Sequence, residues 1–178
     1  MSKEMSQIRY RDPIAEARRQ WTAHGWSGAA PGMAAVTTIT RVQQILAARV
    51  EESLAPLGLT FARFEILRLL GFTRIGRLPM GKISDRLQVH PASVTSAVKR
   101  LEREGLITRH PDEVDNRIVL AAITPKGREV LGPATEAVNG VFESIELEEA
   151  DVDALIALIN PIRDAAGDHL DTSPGAGE

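Results

Sequence analysis

The chain has 178 residues, of which 25% are charged, and a formal net charge of −3. It contains no cysteine, which excludes disulfides, thiolate metal sites and cysteine-based redox sensing. It has neither an apolar run of transmembrane length nor a signal-peptide core, so we expect a cytoplasmic protein of one domain with extensions.

The charge is unevenly distributed along the chain. Residues 1–73 carry 9 basic and 6 acidic side chains, residues 74–128 carry 11 and 6, and residues 129–178 carry 1 and 12. A polyanion would be attracted to the middle of the chain and repelled by its C-terminal part. Charged faces are often only solvated faces, so this pattern alone favours a nucleic-acid partner weakly.

The N-terminal part of the chain is predicted to be helical. A short helix is predicted over 11–21, where Asp12 caps the first turn and Pro13 lies within it. Glycines and a proline predict a loop over 24–32. A long helix is predicted over 33–56, and its broad apolar face predicts a subunit interface.

The middle of the chain has the pattern of a helix-turn-helix. A mostly apolar helix is predicted to begin after Thr60, its cap, and to form the packing centre of the domain. A short strand is predicted near 75–78. Two helices then follow, over 80–87 and 91–104, joined by a turn at 88–90 whose last residue precedes a proline.

Two strands, over 106–109 and 117–123, are predicted to form a hairpin with a charged tip. A long helix is predicted over 125–145 and a last helix from about Glu149, which Pro161 should kink or interrupt. The predicted fold class is therefore mainly α with a small β-wing, a winged helix-turn-helix domain with a helical dimerisation region.

The helix over 91–104 carries the strongest functional signal. Opposite its apolar side lies a face of hydroxyl and basic side chains, which contact phosphates and base edges in a DNA major groove. The predicted DNA-contacting residues of this helix are Pro91, Ser93, Thr95, Ser96, Lys99 and Arg100. A solvated amphipathic helix is the alternative, but the short preceding helix, the tight turn and the basic ribbon together favour DNA.

The tip of the hairpin carries the second signal. Arg117 follows the tip, where an arginine can enter a narrow minor groove. Asp115 can hold that arginine by a bidentate hydrogen bond, and Asn116 lies between them. An exposed ion pair of little consequence is the alternative interpretation.

These residues resemble a known family, the MarR family of bacterial transcriptional regulators. The resemblance covers roughly residues 33–160. Its most specific part is an Asp-x-Arg at 115–117, an apolar strand to Ile123, then Thr124 and Gly127. A second part is His90-Pro91-Ala92-Ser93-Val94-Thr95, followed by Arg100-Leu101-Glu102 and Gly105-Leu106-Ile107.

The resemblance implies a homodimer in which each subunit presents one recognition helix and one wing to half of a near-palindromic double-stranded DNA operator. It implies a repressor, or less often an activator, that a small aromatic or anionic effector releases. Candidate effector-binding residues are Arg41, Arg63, Trp21 and His90. Interface packing and surface charge are the alternative roles for these side chains.

The predicted organisation has five segments. They are an N-terminal extension over 1–32, core and dimerisation helices over 33–73, a DNA-binding lobe over 74–128, C-terminal dimerisation helices over 129–170 and a disordered tail over 171–178.

Other functional classes have weaker support in the sequence. The chain has no nucleophile elbow, phosphate-binding glycine loop or paired-histidine helix, so we predict no catalytic residues, no cofactor and no metal site. Two alternatives remain, a metal-sensing repressor that uses His90, His110 and nearby carboxylates, and a winged helix that binds protein rather than DNA.

Overall fold

The computed structural model describes residues 12–168, so the predicted tail over 171–178 and the start of the predicted extension lie outside the described residues. In chain order the elements are α1 (Pro13–Ala23), α2 (Ala30–Leu54), a 3-10 turn (Ala55–Leu57), α3 (Phe61–Phe72), β1 (Arg77–Pro79), α4 (Met80–Leu87), α5 (Pro91–Arg103), β2 (Ile107–Pro111), β3 (Val119–Ile123), α6 (Pro125–Glu143) and α7 (Glu149–Ala165). The sheet is antiparallel with the order β1-β3-β2. The predicted fold class is confirmed.

The chain divides into two compact units, with the boundary between Val141 and Phe142. The second unit contains α7, which has no buried residue and exposes a row of large apolar side chains. These are Leu155, Ile156, Leu158 and Ile162. Of the two effects expected of Pro161, a kink or an interruption, the interruption is wrong, since α7 continues past it to Ala165.

One hydrophobic core holds the helix-turn-helix and the wing in the first unit. Its fully buried members come from the end of α2, from α3, α4 and α5, from the sheet and from α6: Leu54, Ile66, Leu67, Leu70, Ile83, Val94, Val98, Leu101, Ile107, Ala121, Ala134 and Val138. Burial of large aliphatic side chains contributes about 1.5–3 kcal/mol each. The position of α5 is therefore set by its packing on α3 and on the sheet.

The N-terminal helices begin and end differently from the prediction. Asp12 caps α1 as expected, since its Oδ1 accepts the Ile14 N–H at 2.9 Å. However, α2 begins at Ala30 rather than at residue 33, because a proline fits the first helical turn, where its missing N–H is no loss. The helix then ends in a 3-10 turn, and Gly58 closes it at φ +67°.

Glu51, rather than Thr60, caps α3. The Glu51 carboxylate accepts the Phe61 N–H at 3.0 Å, and Thr60 makes no side-chain cap bond. The predicted role of Thr60 as the hydrogen-bonding cap is therefore wrong. A carboxylate ten residues earlier reaches the orphan N–H because α2 packs beside the start of α3.

The helix-turn-helix matches the prediction closely and the wing strands are shifted. The first helix of the motif spans Met80–Leu87 as predicted, and Gln88 turns the chain at φ +53°. The three strands start one to two residues C-terminal to the predicted starts. The start of β3 is late because side-chain turns at the wing tip occupy the residues before it.

Candidate nucleic-acid interface

The start of α5 is fixed by His90. Its backbone is extended at φ −59° and ψ 135°, as the following proline requires, and its Nδ1 accepts the Ala92 N–H at 3.2 Å. His90 is thus the side-chain cap of the helix, and its predicted part in effector binding stays a prediction.

The two sides of α5 differ sharply in exposure. Val94, Val98 and Leu101 are at most 1% exposed. The predicted contact residues that are exposed are Pro91, Ser93, Ser96, Lys99 and Arg100. The helix therefore presents hydroxyl and basic groups to solvent while its apolar side is locked in the core.

Thr95 differs from the other predicted contact residues. It is half-buried, and its hydroxyl donates to the Pro91 carbonyl at 2.9 Å. Because its proton is already used, Thr95 is left to accept a hydrogen bond or to contact a base through its methyl group.

The other end of α5 is held by an ion-pair cluster. One Glu104 carboxylate oxygen accepts the Arg100 Nε and the other accepts the Arg63 Nη1 at 2.8 Å. Arg63 also donates to the Gly58 carbonyl at 2.6 Å and to the Thr60 hydroxyl at 3.3 Å. Its side chain is 13% exposed and its contacts give it a structural role, while its predicted part in an anion site stays a prediction.

The loop after α5 is tied to the start of α6. Lys126 Nζ donates to the Glu104 carbonyl, and the Thr124 hydroxyl donates to the Gly105 carbonyl, both at 2.8 Å. The same Thr124 oxygen accepts the Gly127 N–H at 3.0 Å, which caps α6. A Cβ at Gly127 would lie 2.2 Å from the Leu106 carbonyl oxygen, so only glycine permits this close approach.

The wing is connected to α5 by an ion pair. Arg109 on β2 donates to Glu102 on α5 from Nε at 2.9 Å and from Nη2 at 2.6 Å. The hydrogen bonds from Arg109 lower the pKa of the Glu102 carboxyl, and the same pairing raises the pKa of Arg109. Glu102 therefore remains charged across the physiological pH range, and the pair joins the wing strand β2 to α5.

The tip of the wing is preorganised by two aspartates. Asp112 Oδ1 accepts the backbone N–H groups of Val114 at 2.9 Å and Asp115 at 3.1 Å, which forms a tight turn. Asp115 accepts the Arg117 side chain through both carboxylate oxygens, at 3.0 Å each, and the Arg117 backbone N–H at 3.0 Å. These bonds lower the pKa values of both aspartates.

Arg117 is presented to solvent by this turn. Its side chain is 91% exposed, while that of Asp115 is 34% exposed. The pairing raises the pKa of Arg117 and leaves its Nη1 free for an outside acceptor. Asn116, between them, is exposed at the same turn.

A small cavity of about 40 Å³ separates α3 from the helix-turn-helix. It is lined by apolar side chains of α3, α4 and α5 together with Glu65 and Ser93. Burial among these groups raises the pKa of the Glu65 carboxyl. The volume suits one water molecule rather than an effector.

The remaining predicted effector residues lie on the N-terminal helices. Trp21 and Trp26 pack edge to face with ring centroids 5.5 Å apart, and His24 stacks on Trp26 at 5.9 Å. Trp21 is 37% exposed and Trp26 is 55% exposed. Arg41 is exposed on α2.

Two other classes of site have no support in the described part of the chain. Among residues 12–168, no group of three or more histidine, aspartate or glutamate side chains could hold a metal ion, so the metal-sensing alternative has no ligand set there. In the same residues, no helix combines the length and apolarity of a membrane span.

Sequence reasoning missed the carboxylates that hold the interface. No role is predicted from the sequence for Glu102 or Glu104. The four-residue spacing of Arg100 and Glu104, which is that of a helical ion pair, is the one local signal for such a role. The contacts of Arg63 with Glu104 and of Glu51 with the start of α3 have no local signal, because they join residues 41 and 10 positions apart.

Comparison with known proteins identifies the family. The MarR family model matches residues 59–119. The HTH-type transcriptional repressor Rv2887 of Mycobacterium tuberculosis is 31% identical over 55% of this chain and 68% of its own. Matches to three Bacillus subtilis regulators cover only 43% to 48% of those proteins.

Solved structures agree with this result. Sco5413, a MarR family regulator from Streptomyces coelicolor, is 45% identical with a TM-score of 0.70, and the match covers 79% of this chain and 99% of that one. An operator-bound MarR mutant from E. coli has the same fold at 23% identity and a TM-score of 0.65, over 71% and 91% of the two chains. The chain belongs to the MarR family of transcriptional regulators.

Proposed function

We propose that this regulator binds a near-palindromic DNA operator as a homodimer, with α5 in the major groove and the wing in the adjacent minor groove. The observation that carries the proposal is the preorganised Arg117, which is 91% exposed and held by both oxygens of Asp115. A bidentate pair at the surface adds little stability, so its geometry makes sense as a prepared contact.

The residues proposed to contact DNA divide into two groups. Ser93, Ser96, Lys99 and Arg100 read base edges or phosphates from α5, and Arg117 and Asn116 act from the wing. Pro91 and Thr95 shape the start of the helix, and Asp115 holds Arg117. The proposed DNA-binding lobe over 74–128 contains all these groups and has an excess of basic side chains.

The proposed dimer rests on apolar surface that the single chain leaves open. The α2 side chains Val36, Ile39, Val42 and Ile45 are 65%, 43%, 45% and 37% exposed. Such a stripe on a 25-residue helix exceeds the scattered apolar exposure of a monomer. The segments 33–73 and 129–170 are therefore proposed as dimerisation regions.

The function is tested by selecting bound sequences from a random DNA pool with the purified protein. A palindromic consensus is expected, with affinity that falls steeply as salt concentration rises. No enrichment of any sequence and no salt-sensitive binding to DNA would reject the proposal and favour a protein-interaction module. Light scattering should give twice the chain mass of 19.3 kDa; a monomer would reject the dimer.

We also propose that the regulator represses transcription and that a small aromatic or anionic effector releases it. The exposed Trp21 and Arg41 remain the candidate effector contacts. The test is a screen of aromatic acids for release of labelled operator. Release by an acid that is lost in Arg41→Ala would support the site, and release that the variant leaves unchanged would reject Arg41.

A further inference from the structure

We propose that Glu104 is a positioning residue that orients Arg100 for contact with the operator, and that Arg63 holds Glu104 in place. The inference rests on the proposed DNA-binding function and deepens it. It starts from the ion-pair cluster at the C-terminal end of α5, where one carboxylate joins a nearly buried arginine to an exposed one.

Arg63 is held rigidly. Its three kinds of nitrogen donate to three different acceptors, the Thr60 hydroxyl, the Glu104 carboxylate and the Gly58 carbonyl. The side chain is 13% exposed, and two of its acceptors lie in the segment between α2 and α3. Arg63 therefore fixes one oxygen of Glu104 relative to the core of the domain.

The second oxygen of Glu104 orients Arg100. It accepts the Arg100 Nε, while the side chain of Arg100 is 58% exposed on the same face of α5 as Ser93 and Ser96. A guanidinium has five N–H groups, and only the one on Nε is used here. Neither terminal nitrogen takes part in this bond, and the side chain is 58% exposed, so both are available for the bidentate contact that a guanidinium makes with guanine or phosphate oxygens.

The negative charge of Glu104 is expected to affect sequence specificity and general affinity for DNA in opposite directions. Glu104 is negative and lies beside a residue proposed to face a polyanion, so its charge opposes non-specific binding. Its benefit is a single orientation of Arg100, which reduces the side-chain freedom lost on binding. Glu104 is thus expected to sharpen the preference at one base pair without strengthening binding to DNA in general.

The test compares Glu104→Gln, Arg100→Ala, the double variant and Arg103→Ala. Arg103 is an exposed arginine three residues from Arg100 and serves as the matched control. Each protein is measured against the selected operator, against every single-base-pair substitution of it and against unrelated DNA. Thermal unfolding establishes that each variant is folded.

Arg100→Ala should remove the preference at one base pair of each half-site, a loss of about 5- to 100-fold for a bidentate contact. Glu104→Gln should reduce the preference at the same base pair and leave binding to unrelated DNA unchanged or stronger. In the Arg100→Ala background it should have no further effect on base preference. Arg103→Ala should leave the pattern of preferences intact.

Three outcomes would overturn the inference. They are an unchanged base preference in Glu104→Gln, an effect of that variant on base preference that persists without Arg100, or an Arg100→Ala variant with wild-type preferences. Arg63→Met should reproduce the Glu104→Gln pattern, and wild-type preferences in a folded Arg63→Met would remove Arg63 from it. A wild-type protein that selects no sequence would instead reject the proposed function itself.

Discussion

Arg117 donates to Asp115 from both Nε and Nη2, at 3.0 Å each, so the two side chains at the wing tip form one planar unit. The unit leaves Nη1 of Arg117 free, and the tip itself is shaped by the backbone bonds of Asp112. The wing is therefore built to present a cation at a fixed angle.

Arg117→Ala should weaken operator binding by about 10-fold or more, since a charge-assisted contact contributes about 1.5–3 kcal/mol. The melting temperature should hardly change, because an exposed ion pair adds little stability. Fluorescence anisotropy with labelled operator provides the measurement. Val114→Ala, at a wing position that is 97% exposed, is the matched control and should bind like the wild type. Equal affinity for both variants would remove Arg117 from the interface.

The Asp115 carboxyl should titrate below the ordinary range of aspartate, because Arg117 lowers its pKa through side-chain and backbone hydrogen bonds. A depressed pKa means that the folded state gains stability above the unfolded pKa and loses it as pH falls through the folded pKa. The wing should therefore stay ordered between pH 5 and pH 8, a range well above the ordinary pKa of about 3.9.

A carbon-detected NMR titration gives the Asp115 midpoint directly. In Arg117→Ala the midpoint should rise toward the ordinary value of aspartate. It should stay below that value, because the backbone N–H of residue 117 still donates to Asp115. An identical midpoint in both proteins would show that the ion pair is absent in solution.

Glu65→Gln should raise stability at neutral pH. Burial raises the pKa of Glu65, so its contribution is present below the unfolded pKa and is lost as pH rises through the folded pKa. The melting temperature of the variant should exceed that of the wild type at pH 7, and the gap should shrink as pH falls toward 4. A melting-temperature difference that does not change with pH would show that burial of the Glu65 charge is not its cause.

Gly127→Ala should destabilise the fold by about 1–3 kcal/mol, the usual cost of forcing an atom into a packed site. The added Cβ would lie 2.2 Å from the Leu106 carbonyl oxygen and 2.8 Å from Ile123, and the first of these is backbone that cannot rotate away. Gly140→Ala, on the same helix with no atom within 4 Å, should be neutral or stabilising by about 0.5–1 kcal/mol. Urea unfolding compares the two, and equal stabilities would refute the close approach.

The helix-turn-helix was predictable because its signals are local. The apolar spacing of α4, the proline after His90 and the glycine after Glu104 each act within one or two turns of helix, and the structure has α4 at Met80–Leu87 as predicted. The start of α2 was missed because Pro31 is compatible with both a loop and a first helical turn.

The contacts that position the candidate site were less accessible to sequence reasoning. Glu51 reaches the start of α3 and Arg63 reaches the end of α5 only after α2, α3 and α5 have packed together. A charged residue has many possible partners in sequence, and tertiary packing chooses among them. For this reason the sequence does not predict that Arg63 pairs with Glu104.

The end of α5 is held by hydrogen bonds from Thr124 and Lys126 at the start of α6. The Thr124 hydroxyl donates to the Gly105 carbonyl and accepts the Gly127 N–H in the first turn of α6. Lys126 Nζ donates to the Glu104 carbonyl. These hydrogen bonds join the C-terminal end of α5 to the N-terminal end of α6, so fraying of either end would break contacts with the other. Because these bonds join the end of α5 to the start of α6, we expect the amide hydrogens around this junction to be protected from exchange together.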